Sequence, residues 1–196
     1  MNYKTPTDWK SEIWWRKRSA DERKFHLHLP KRVATDLLSY PSSTTIDPSW
    51  DTPPSTLIQG PSGSGKSVRA ASMLTSYMDS FELSGRWTEA DDYIEMLKDS
   101  FDNDGLLPSM YSTPYLVKYI KGGFDILVLD GLGEERLTEF AAHELGSLIR
   151  KRHDRMRCTI ITSRLSLGDI KNRYGERLGT VLAEFDVESM GGRRGR

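Results

Sequence analysis

One cysteine and four histidines among 196 residues leave little material for disulfides or metal cages. A lone thiol cannot close an internal disulfide, which suits a reducing compartment. Cys158 stands at the head of an apolar run and reads as a core residue. His26 and His28 are two apart with no further ligand nearby, which argues against a metal site. No apolar run approaches the roughly eighteen residues of a membrane-crossing helix, so no membrane partner is expected. No signal-peptide pattern precedes the first apolar segment, and a cytoplasmic protein is the expectation. Net charge is lacking as well: 28 Lys and Arg balance 28 Asp and Glu. The balance is uneven along the chain. Residues 1–34 carry nine basic against four acidic side chains, and residues 150–196 twelve against six. Basic ends around an acidic middle suit contact with nucleic acid or an acidic protein, or are simply solvated surface.

What the sequence does have is a phosphate-binding loop. Gly60-Pro61-Ser62-Gly63-Ser64-Gly65-Lys66-Ser67 fits the G-x-x-x-x-G-K-[ST] pattern without mismatch. Before it, Ser55–Gln59 reads as a short buried strand; after it, residues 68–78 show helical spacing of apolar side chains. In such a strand–loop–helix unit the backbone N–H groups curl around phosphates and the helix N-terminus adds partial positive charge. Lys66 is expected at the β- and γ-phosphates and Ser67 on Mg²⁺, with residues from Gly60 to Val68 forming the binding segment. ATP and Mg²⁺ are the expected cofactors. The plainer alternative is a Gly/Ser-rich turn between a strand and a helix.

Along the chain, residues 1–50 read as a basic, aromatic extension and linker that contacts DNA or a partner, and residues 51–196 as the ATPase domain. Trp9, Trp14 and Trp15 lie among Lys10, Arg16, Lys17 and Arg18, suited to stacking on bases or packing on the core. Ser19–Glu22 looks like a helix start and residues 29–38 like a short helix; Pro, Ser and Thr then dominate to Pro54. Strands are expected at 86–90, 124–130, 158–162 and 186–190. Helices are expected through Tyr93–Leu97, over 113–120, over 138–152 with Phe140, Leu145, Leu148 and Ile149 inward, and over 167–174 and 176–185. An acidic loop is expected at 101–108. Alternating strands and helices imply an α/β fold with a parallel sheet covered on both faces.

A phosphate loop alone only binds; hydrolysis also needs a carboxylate for the metal and a group that orients water. Asp130 ends the apolar strand Ile126–Leu129, where an acid at a sheet's C-terminal edge can hold the Mg²⁺ shell. Thr159–Ser163 is a second apolar strand ending in polar residues, suited to a place between the loop strand and the Asp130 strand.

Together with residues 125–135, 159–166 and 173–178, this set resembles the AAA+ ATPases of the DnaC/IstB group, the replicative-helicase loaders and transposition helpers of bacteria and phages. The resemblance covers roughly residues 55–194. It implies a three-layer P-loop sheet and ATP-dependent self-assembly around DNA, single-stranded DNA being the first expectation. It also implies a replicative helicase or a transposase as partner. By this similarity Lys66 and Ser67 are the Walker A pair and Asp130 the Walker B acid. Arg177 takes the place of an arginine finger inserted into a neighbouring subunit, Arg164 the sensor position, and Arg193 that of a late basic residue.

Two positions depart from the family pattern. The acid usual after the Walker B Asp is Gly131 here, and the sensor residue usually Asn is Arg164. Glu134 or Glu135 could replace the missing acid, or both could simply begin the next helix, where acids favour the dipole. The chain is short for the group, so a reduced or absent lid domain is expected. The function so indicated is a slowly hydrolysing replication accessory of helicase-loader type, from a phage or mobile element. A transposition helper is the first alternative. A small-molecule kinase, drawing on Arg86, Glu89, Asp91 and Asp92, is the second.

Overall fold

In the parallel sheet every central strand is apolar on both faces, because helices cover both. The computed structural model describes residues 27–39, 44–102 and 113–191. The arm with Trp9, Trp14, Trp15, Lys10 and Arg16 to Arg18, the helix start at Ser19–Glu22, His26 and Arg193 lie outside the described residues. The strands are β1 (Thr56–Gln59), β2 (Gly85–Glu89), β3 (Ile126–Leu132), β4 (Cys158–Ser163) and β5 (Asp186–Ser189). They form one five-stranded sheet in the order β2-β3-β4-β1-β5, and every pairing is parallel. The loop strand therefore lies beside β4, which separates it from the Asp130 strand, as the sequence suggests.

Seven helices are described: α1 (Lys31–Ser39), α2 (Lys66–Phe81), α3 (Ala90–Asp102), α4 (Thr113–Gly122), α5 (Glu139–Asp154), α6 (Leu167–Tyr174) and α7 (Glu176–Leu182). Alternate strand residues feed two cores. Ile58, Ile126, Val128 and Ile160 pack with α1 and α2 on one face. Leu57, Leu127, Leu129 and Ile161 pack with α3 through α7 on the other. The result is the three-layer α/β fold expected from the sequence. Among the described residues no helix follows β5, and none is long and apolar enough to cross a membrane.

Several local expectations are corrected. α3 runs through Asp102, so residues 101 and 102 are helical where an acidic loop over 101–108 is expected; the rest of that expectation, at 103–108, lies outside the described residues. Ala90 opens α3 instead of ending β2. Phe140 is 37% exposed; the inward face of α5 is Ala141, Leu145, Leu148 and Ile149. Glu134 and Glu135 do not begin α5. That helix starts at Glu139, capped by Thr138, whose Oγ1 accepts from the Ala141 N–H at 3.0 Å.

Part of the N-terminal extension belongs to the α2 face. Leu27 and Val33 are buried there, with Leu37, Ile46 and Trp50 packed against the same cluster. Trp50 meets Tyr77 edge to face, with centroids 6.3 Å apart.

One buried cation ties the other layer to the sheet. Arg152 of α5 is fully buried. Its guanidinium donates to the carbonyls of Ile120, Phe124, Asp125 and Cys158 and to Thr159 Oγ1, at 2.8–3.3 Å. Five donors meet five acceptors, so the charge is buried but fully hydrogen-bonded. Burial lowers its pKa to about 10.

Candidate nucleotide-binding site

In a parallel sheet the loops leaving the C-terminal ends of neighbouring strands converge on one edge. Here the loops after β1 and β3, the β2–α3 junction and Thr162 near the end of β4 meet around a cleft of about 720 Å³. Ser62 to Arg69 line it together with Asp130, Glu134 and Thr162. Gly60 turns the chain out of β1 beneath the Met190 carbonyl, which a Cβ at that position would strike. The Gly60 N–H donates to the Ser163 carbonyl at 3.2 Å, anchoring the loop to β4.

Lys66 is 8% exposed, and its Nζ donates to the Gly60 and Pro61 carbonyls at 2.8 Å each. Burial lowers its pKa; the charges of Glu134 and Asp130 oppose that shift, and Arg164 adds to it. Ser67 Oγ donates to both Asp130 oxygens, at 3.0 and 3.1 Å. Thr162 Oγ1 donates to Asp130 Oδ1 at 2.5 Å and accepts from the Gly131 N–H at 2.9 Å. Burial raises the Asp130 pKa, and the hydrogen bonds from Thr162 and Ser67 act against it. Sequence reading aims the polar end of β4 at the γ-phosphate without singling out Thr162. A hydroxyl closing a central apolar strand one position short of the loop is the signal that could have singled it out.

These residues fit a magnesium nucleotide. α5 and α6 are capped by side chains, but α2 has Gly65 at its N-cap, with no side-chain cap and no acid in its first turn. Its first N–H groups thus lie at the cleft, where phosphate oxygens are natural acceptors. The Ser64 hydroxyl is buried in the same loop without a protein partner. Among the described residues no cluster of three or more His, Cys, Asp or Glu could hold a metal. One hydroxyl and one carboxylate suit Mg²⁺, which takes few protein ligands and completes its shell with phosphates and water.

The remaining candidates fall at varied places. Arg164 Nε pairs with Glu134 Oε1 at 2.7 Å, and both side chains are about half exposed. Glu135, 3% exposed, accepts from Tyr174, Arg173 and the Gly133 N–H, away from the cleft. Gly131 sits at φ +76° where β3 slips in register against β4 between Leu129 and Leu132. Arg177 is exposed on α7 and does not line its own chain's cleft. The four kinase candidates do not share one site: Glu89 and Asp91 line the nucleotide cleft, whereas Arg86 and Asp92 line a second cavity of about 440 Å³ that Glu89 also borders. Glu89 has its pKa raised by burial and by the carboxylates of Asp92, Asp130, Glu134 and Asp91. Arg32, Val33 and Asp36 of α1 add a wall that sequence reading missed, since that segment reads there as an appendage.

The family of IstB-like ATP binding proteins matches residues 50–183, well over half of the chain. The chain belongs to this family. No curated protein matches the sequence. Among solved structures, this IstB-like chain is similar to the DnaC helicase loader, with a TM-score of 0.60 and 21% identity over 89% of this chain and 92% of that one. It is similar to DnaI at 0.55 and 14%, over 92% and 86%. It is also similar to the replication initiator DnaA bound to AMPPCP and single-stranded DNA, at 0.58 and 13%, over 81% of this chain but 44% of that one. At these identities the likeness is one of fold: the AAA+ P-loop ATPase fold.

Proposed function

We propose that this protein is an ATP-binding, slowly hydrolysing accessory of DNA replication, of helicase-loader type, that assembles on DNA when ATP is bound. The observation that carries this is the Ser67–Asp130–Thr162 chain lining the same cleft as Lys66. Asp130, held by the Ser67 and Thr162 hydroxyls, together with Ser67 itself would hold the magnesium ion of a bound nucleotide. When bound, the metal neutralises charge developing on the phosphates. Lys66 adds a desolvated ammonium, and the α2 N-terminus adds its partial charge. Gly131 supplies no acid to polarise water, which supports slow turnover. Arg177, exposed and outside its own cleft, is free to act in a neighbouring subunit's site. The match to a helicase loader over nearly the full length of both chains supports the loader reading.

Calorimetry with Mg-ATP tests it first: wild-type chain binds, Lys66→Ala binds roughly 10- to 100-fold more weakly, and EDTA abolishes the heat. Size-exclusion chromatography with light scattering should then show a larger species with ATP and single-stranded DNA. A chain that stays monomeric under saturating ATP and DNA sinks the assembly half of the proposal. The family match supports a second reading, a transposition helper on duplex DNA. Capture of a transposase, with no capture of a replicative helicase, decides for it.

A further inference from the structure

We propose that Glu89 is the carboxylate that takes the proton from the attacking water, replacing the acid absent after Asp130. Glu89 has this role only if the chain hydrolyses ATP as proposed above. Four observations meet here. The β2–β3 register sets Glu89 directly beside Asp130 at the C-terminal edge of the sheet. Side chains level with each other on adjacent parallel strands share a face. That face is the one α2 covers, as Trp87 and Val128 of the same strands show. Both carboxylates line the nucleotide cleft.

The other acids are committed or displaced. Glu134 is held by Arg164 at 2.7 Å. Glu135 faces Tyr174 and Arg173, outside the cleft. Gly131 has no side chain, and its positive φ disfavours one. Asp91 lies beyond the strand end, on the first turn of α3. Among the described residues the Glu89 carboxylate has no hydrogen bond or ion pair, so no described residue competes for it.

In the step assigned to it, the water oxygen bonds to the γ-phosphorus while the bond from that phosphorus to the β–γ bridging oxygen breaks. The bond's electron pair leaves on ADP, Glu89 receives the water proton, and inorganic phosphate forms. Glu89 then returns its proton to a phosphate oxygen or to solvent. General-base assistance of this kind contributes roughly 10²–10⁴-fold.

The test uses the full chain with single-stranded DNA and compares wild type with Glu89→Gln, Glu134→Gln and Asp91→Asn. Fluorescent-nucleotide titration reads binding, single-turnover hydrolysis reads chemistry, and chromatography of the bound nucleotide reads what accumulates. Glu89→Gln should lower hydrolysis about 100-fold or more while ATP affinity stays within about threefold, since only an interaction of the transition state is lost. Its bound nucleotide should be recovered as ATP. Glu134→Gln and Asp91→Asn, at positions that also line the cleft, should each lose clearly less hydrolysis than Glu89→Gln. Wild-type turnover in Glu89→Gln, or an equal loss in Glu134→Gln, overturns the assignment. Wild-type chain that binds ATP but never hydrolyses it overturns the assignment alone. Wild-type chain that binds no Mg-ATP overturns the ATPase reading beneath it.

Discussion

Lys66 and Gly131 act at the scale of single residues, one through charge and one through backbone. Burial and two carbonyl partners hold the Lys66 ammonium at the mouth of α2. A hydrogen bond to a charged group is worth about 1.5–3 kcal/mol, so Lys66→Ala should weaken Mg-ATP binding roughly 10- to 100-fold in a fluorescent-nucleotide titration. Gly131 has room for a side chain: a Cβ at that position would meet Glu134 Cδ first, at an unstrained 3.5 Å. What glycine provides there is φ +76°, a left-handed turn that lets β3 slip past β4. Gly131→Ala should therefore cost about 1–2 kcal/mol in denaturant unfolding, and Gly131→Asn less, because Asn tolerates that region better. Equal costs for the two would put the penalty in packing, not in the backbone.

At the scale of elements, Arg152 fastens α5 to the ends of α4, β3 and β4 through five acceptors. Arg152→Leu leaves four carbonyls and a hydroxyl buried without their donor. The expected loss is about 3 kcal/mol or more, seen as a lower midpoint in thermal unfolding. Arg152 was not legible beforehand: it sits in a run of basic residues, Arg150, Lys151 and Arg152, that reads as solvated helix end. Strands and helices were legible wherever apolar residues carry a period, as in Ile126–Leu129 and Ile160–Ile161. The Walker residues were legible because loop chemistry is local in sequence. Thr162 and Arg32 were not, because their place at the cleft comes from register and packing between distant segments; Glu89 was legible only as a kinase candidate, its place beside Asp130 coming from the β2–β3 register. Glu135 illustrates the reverse. Its acidity and position suggested the site, and Tyr174 and Arg173 of α6 draw it away.

At the scale of the whole molecule, the proposed assembly turns on Arg177 and the basic ends. Arg177→Ala should leave ATP binding and folding unchanged but abolish the ATP-dependent increase in mass by light scattering. Unchanged assembly removes Arg177 from the interface. DNA affinity should fall steeply with salt, because phosphate contacts release counterions. Neutralising Arg16, Lys17 and Arg18 should flatten that slope by roughly one unit for each phosphate they had neutralised. An unaltered slope means those residues do not touch phosphates.

α1 has a consequence at this largest scale. It lies on α2, and its Arg32, Val33 and Asp36 form one wall of the nucleotide cleft. A partner that gripped the chain upstream of residue 31 and shifted α1 would therefore move a wall of the ATP chamber. By thermodynamic reciprocity, a tenant in that chamber must in turn tighten or loosen the hold of the upstream visitor by the same factor.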